Sequence, residues 1–255
     1  MKKQIVALLA GAMFMVGVAN VANATPTLQL DIAGGTYNTT TETIVACSNL
    51  FTLYAYLLPD GKSFLNDNYF VSAALIPQQN HTTPSPSLGS FDYIANPTTT
   101  VHVTQDLMYF GTPPFESYQA FDSGDLSKHG IFPTYFKEFA FKFSANDQIS
   151  EYNTQDRAKA GDPISASGTG MYFKAFTFDL SHLDTGYGIH FDLYNETVKN
   201  GDKDIRSFAP FSHDAEGMRH DNPPPAVPEP GTLMLLGMGM LGLAVYGKRR
   251  MNKEA

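Results

Sequence analysis

The sequence predicts an all-β protein, an antiparallel β-sandwich of the jelly-roll-like kind. Three observations predict it. Apolar residues alternate with polar ones at period two in run after run, which is the spacing of a strand with one buried face. Gly, Pro, Asn and Asp clusters separate the runs, and helical spacing is not sustained anywhere between residues 25 and 228. That stretch also holds 18 Phe and 12 Tyr, a bias that suits strands.

The runs follow in order. Leu28, Leu30 and Ile32 alternate with Gln29 and Asp31, and Gly34-Gly35 turns the chain. Phe51, Leu53, Ala55 and Leu57 alternate next and end at Pro59-Asp60-Gly61. Tyr69 to Ile76 is an almost continuous apolar strand, and Thr98 to Thr104 is a Thr/Val strand. Phe139, Phe141 and Phe143 flank Ala140 and Lys142 and are expected in the core. Tyr172, Lys174, Phe176, Phe178 and Leu180 share one face of the following run, with Phe173, Ala175, Thr177 and Asp179 on the other. Ile189, Phe191 and Leu193 alternate with His190, Asp192 and Tyr194. Residues 77–90 and 151–170 are expected as long loops, the places where binding would sit on a rigid sandwich. A single domain over 25–212 is expected, followed by a Pro-rich linker over 213–227.

Both ends of the chain differ from this body. Lys2 and Lys3 precede 14 uncharged apolar residues, Ile5 to Val18, and Ala22-Asn23-Ala24 follows. A positive start, an apolar run and small residues at Ala22 and Ala24 make the three-part secretory signal, with cleavage by signal peptidase after Ala24. At the other end, Gly231 to Gly247 is apolar apart from Thr232 and Tyr246, and Lys248, Arg249 and Arg250 follow at once. As a helix this run would span about 25 Å, short of a hydrocarbon core of about 30 Å, and the flanking cations can snorkel to extend it. The cations are expected on the cytoplasmic side, which leaves the body outside. Ahead of the run stands Val227-Pro228-Glu229-Pro230, an extended proline-held strip that a processing enzyme can grip.

A Pro-Glu-Pro motif, a short hydrophobic helix and an Arg-rich end resemble the PEP-CTERM sorting signal. That resemblance implies processing by exosortase, a membrane cysteine transpeptidase of Gram-negative bacteria that make extracellular polysaccharide. The body resembles the choice-anchor N family. Thr27 to Ile32 with Gly34-Gly35, His129 to Phe136, His190 to Tyr194 and Phe208 to Glu216 carry this second resemblance. It implies a modular anchor and brings no catalytic residues.

Charge and motifs bound the chemistry. The body carries 23 acidic against 11 basic side chains, near −12, and such a surface repels nucleic acid and anionic membranes. Cys47 is the only cysteine, so no internal disulfide forms, and a buried apolar role is expected for it. Gly237-Met238-Gly239-Met240-Leu241-Gly242 fits a dinucleotide fingerprint in letters only, because no strand precedes it and only 13 residues follow. Asn66-Asp67-Asn68, Asp122-Ser123-Gly124-Asp125 and Asn200-Gly201-Asp202-Lys203-Asp204 are oxygen-rich turns. Calcium is the cofactor they could take, with Asp202 and Asp204 the best pair, and plain turn formation is the reading preferred over it. His213-Asp214 and His220-Asp221, with Glu216 nearby, do not form dyads by themselves, because adjacent residues of an extended chain point in opposite directions. No zinc, serine-hydrolase or phosphate-loop motif is present. The expected role is therefore non-catalytic, structural or exopolymer-associated. The alternatives are a polysaccharide-binding module, with or without calcium, and a hydrolase using two carboxylates brought together by the fold.

Overall fold

The structure, a computed structural model, describes residues 25–81, 85–104, 108–113, 133–156, 167–199 and 202–221. In chain order the strands are β1 (Leu28–Ile32), β2 (Thr36–Asn38), β3 (Thr43–Val45), β4 (Leu50–Leu57), β5 (Tyr69–Ile76), β6 (Ser90–Ile94) and β7 (Thr99–His102). They continue as β8 (Tyr109–Gly111), β9 (Thr134–Phe141), β10 (Gln148–Ser150), β11 (Gly170–Asp179), β12 (Gly188–Lys199), β13 (Asp202–Phe208) and β14 (Ala215–Met218). Among the described residues the helical content is two 3-10 turns, Thr154–Asp156 and Phe211–His213.

Two sheets result. The first has six strands in the order β1-β4-β11-β6-β7, with β10 also on β11. The second has eight in the order β2-β3-β14-β12-β5-β9-β8, with β13 also on β12. All pairs are antiparallel except β3 with β14. The β-sandwich expectation holds. The jelly-roll likeness is confined to the two-sheet arrangement, since the strand numbers and the parallel pair are this chain's own.

The alternation in the sequence decides which side chains meet. Leu28, Leu30 and Ile32 of β1, Leu53 and Leu57 of β4, and Phe176 and Phe178 of β11 face Val71, Leu75, Phe139, Ile189, Phe191 and Leu193 of the second sheet in one continuous core. Aromatic rings fill its centre. Phe178 lies 4.8 Å from Phe191 and 5.6 Å from Phe139 between centroids, the latter edge-on, which the ring quadrupoles favour. Phe139 and Phe143 are buried and Phe141 packs against them, as expected. A smaller cluster of Tyr56, Ile149 and Met171 lies apart, packed by Tyr54, Tyr152 and Phe173.

All seven expected strands form, and seven others do not stand out in the sequence. Most of these are short, or bury one or two side chains, so alternation cannot accumulate. In β6 only Phe91 is buried. Two expectations are corrected. Cys47 is exposed, because it follows buried Ala46 at the end of β3 and points to the opposite side. The linker does not begin at residue 213. His213 closes a 3-10 turn, and β14 is inserted between β3 and β12. Its inward residues, Ala215 and Gly217, are small, so the segment lacks the bulky alternation that marks the other strands.

Candidate functional site

The site grows from β12. Ile189, Phe191 and Leu193 enter the core, so His190, Asp192 and Tyr194 must share the opposite face. In the register Asp192 stands across from Ser72, Ser72 from Glu138, and His190 from Glu216. Directly opposed residues lie on one face, so Glu138, Ser72, Asp192, His190 and Glu216 form a polar row across β9, β5, β12 and β14. Asp214 joins it from the turn before β14.

The middle of this row is buried although it lies on the face away from the core, and Glu138 and Glu216 at its ends are half-buried. His190, Asp192 and Asp214 are 8%, 5% and 4% exposed. His190 Nε2 is 3.3 Å from Asp192 Oδ1 and 3.3 Å from Asp214 Oδ2. Neither contact has hydrogen-bond geometry, and Nε2 and Asp214 Oδ1 are buried without a hydrogen-bond partner. Asp192 Oδ2 accepts a 3.1 Å hydrogen bond from Ser72 Oγ. The Tyr194 hydroxyl donates to Glu138 Oε1.

Burial and charge oppose each other here. Burial pushes the His190 imidazole down, but the carboxylates of Asp192 and Asp214 outweigh it and hold it well above the usual histidine range. Burial raises Asp214 and Glu216 above the usual carboxylate range, and His190 offsets this in part. Burial, then Glu138, pushes the Tyr194 phenol up. The donor atoms of His190, Asp192 and Asp214 all lie within 4.8 Å of one another. One imidazole nitrogen and two carboxylate oxygens at that spacing can share a proton or hold a cation.

The other predicted histidines have structural roles. His213 Nε2 pairs with Asn153 Oδ1 at 2.8 Å, and Ser212 Oγ with His213 Nδ1 at 2.9 Å. His213, at the end of the 3-10 turn, and Asp214, in extended backbone after it, each meet a different partner. His220 lies against the body, its amide donating to Asn49 Oδ1 at 2.7 Å. Asp221 accepts from Thr185 Oγ1.

The oxygen-rich turns stand differently. Asp67 Oδ2 accepts from the Phe64 amide and from Asn195 Nδ2, as a turn-forming aspartate does. Asp202 and Asp204 fall within β13, paired in register with Lys199 and Thr197, and their side chains lie outside the described residues, as do residues 122–125. Sequence reasoning missed His190 and Asp192 as a pair. The available signal was their separation of two residues on a strand, which puts both on one face; Asp214 arrives only through the fold.

Ala22, Ala24, Val227 to Pro230 and Lys248 to Arg250 lie outside the described residues. Among the described residues no helix is long and apolar enough to cross a membrane, and residues 231–247 are not among them. Residues 226–250 match the PEP-CTERM protein-sorting motif. The PEP-CTERM motif implies a surface protein sorted by an exosortase-type enzyme. No curated protein matches this chain. A crystal structure of ACE19, the collagen-binding subdomain of the Enterococcus faecalis surface protein ACE, aligns over 77% of this chain and 99% of its own at 10% identity and a TM-score of 0.23. An overlap that low carries no ligand or topology to this chain.

Proposed function

We propose that the chain is a non-catalytic β-sandwich delivered to the cell surface or the extracellular matrix through an exosortase-type pathway, where it associates with exopolymer. The observation that carries this reading is the sorting motif over 226–250. Signal peptidase cuts after Ala24, and the segment 231–247 holds the chain in the inner membrane until exosortase acts at Val227 to Pro230. Lys248, Arg249 and Arg250 keep the tail end cytoplasmic.

Three features accord with a non-catalytic body. The body's charge near −12 disfavours nucleic acid as a partner. His213 and His220 are engaged in packing the chain end onto the sandwich. The His190 cluster, at 4–8% exposure, offers a substrate no access.

Mass spectrometry of the mature protein from exosortase-competent cells tests the reading. The expected product begins at Thr25 and lacks the tail beyond the 228–230 motif. An intact Ala255 terminus overturns it.

A further inference from the structure

We propose that His190, Asp192 and Asp214 form a structural site for one divalent transition-metal ion of the zinc type, with Glu216 the neighbour able to supply a fourth oxygen. Nothing in the sorting reading requires this site. A tetrahedral ion with bonds of about 2.1 Å holds its ligand atoms about 3.4 Å apart. His190 Nε2 stands 3.3 Å from a carboxylate oxygen on each side. A protonated imidazole binding a carboxylate directly closes to about 2.7–2.9 Å with its N–H in line. Here both contacts are longer and neither has hydrogen-bond geometry, and one N–H cannot serve two carboxylates.

His190 Nε2 and Asp214 Oδ1 are buried with no partner at hydrogen-bond geometry, and the Thr43 hydroxyl and His190 are the side-chain groups that ease the Asp214 carboxylate. A buried imidazole nitrogen left unpaired is costly, and a cation bound by Nε2 and the carboxylate oxygens beside it offsets that cost. Among the described residues no Lys or Arg forms an ion pair with Asp192 or Asp214, so one imidazole faces two buried carboxylates with half-buried Glu216 beside them.

The surroundings fit a metal. His190 and Asp192 are mounted on β12, flanked by β5 and β14, which fixes their backbones. Ser72 Oγ holds Asp192 Oδ2, so the other oxygen of that carboxylate is oriented toward His190. An imidazole nitrogen with few oxygens suits zinc, whereas calcium takes six to eight oxygen ligands. The ion would tie the turn before β14 to β12 and fasten the last strand of the sandwich.

The test uses the untagged full chain, stripped with chelator, dialysed and titrated separately with Zn2+ and Ca2+ by calorimetry, with metal content measured by mass spectrometry. One zinc per chain is expected, with binding at least tenfold weaker in Asp214→Asn and His190→Gln and unchanged in His220→Gln. Absence of stoichiometric zinc in the folded wild type overturns the site. So does equal zinc affinity in Asp214→Asn, or saturation by calcium at lower concentration than zinc. Should the variants fail to fold, Co2+ added to the wild type decides: strong visible bands of a four-coordinate imidazole–carboxylate centre support the site, and their absence overturns it.

Discussion

A methyl group at Gly217 would sit 2.8 Å from Leu180 Cδ1 and 2.8 Å from Phe51 Cε1. Both neighbours are core side chains, so neither can swing into solvent. Gly217→Ala is expected to cost about 1–3 kcal/mol by overpacking, or roughly 2–10 °C in Tm for a body of this size. An unchanged thermal melt would contradict the packing described. Asp60 gives a pH-dependent counterpart. Its carboxylate accepts from the amides of Lys62 and Ser63 and from Thr27 Oγ1, and the Lys62 amide bond above all holds it below the usual aspartate range. A depressed folded value means the carboxylate stabilises the fold above the unfolded value of about 4, and the gain is lost as pH falls through the folded value. Because the group is exposed, Asp60→Asn should lower Tm by only about 1–3 °C at pH 7, and the two melts should converge as pH falls through the folded value. Legibility at this scale divides along the same line. The Asp60 turn can be read from Pro59-Asp60-Gly61, since turn chemistry is local. Cys47 and the His190–Asp214 contact cannot, since exposure and convergence depend on strands far apart in the chain.

At the scale of elements, the legible runs carry three or more bulky inward residues, apart from β7, which its Thr/Val composition marks and which has Val101 and Val103 inward. β12 and β11 announce themselves, while β14 buries Ala215 and Gly217 and reads as loop. The hairpin of β12 with β13 had a signal of its own in Asn200-Gly201, which lies between the paired residues Lys199 and Asp202. The loop expected over 151–170 is partly docked. Buried Gln29 on β1 donates from Nε2 to the Tyr152 carbonyl at 2.8 Å and accepts from the Thr154 amide at 3.0 Å. Tyr152 in turn donates to Asp31 Oδ2. The polar positions of β1, which alternation alone assigns to solvent, are thus what holds this segment. Gln29→Leu removes both backbone bonds at a cost of about 1–3 kcal/mol. The Thr154 amide should then exchange about ten- to a hundredfold faster, while amides of β5 and β12 keep their protection. Unchanged exchange at Thr154 would show that Gln29 does not hold the segment.

At the scale of the molecule, the chain closes on its own end. β14 is the element through which β2 and β3 reach the rest of the second sheet, because β3 pairs with β14 and β14 with β12. The amides of Ile44 and Ala46 donate to the carbonyls of Asp214 and Glu216, so the parallel pair is bonded along its length. Beyond it, Asn49 holds His220 by two hydrogen bonds, and Arg219 donates to the Leu183 carbonyl. Whatever tethers the body to its sorting tail therefore starts after Asp221. A chain ending at Asp221 retains every described strand and should melt within a few degrees of the longer protein. A chain ending at Ser212 removes β14, leaves β3 paired with β2 alone and cuts both from β12 and the rest of the second sheet. Losing a strand between two others costs far more than a single side chain, on the order of the 5–15 kcal/mol that stabilises a whole domain. The Ser212-terminated chain is therefore expected to be recovered unfolded or aggregated, by circular dichroism and size-exclusion chromatography. A cooperative melt from that chain would return residues 213–221 to the linker.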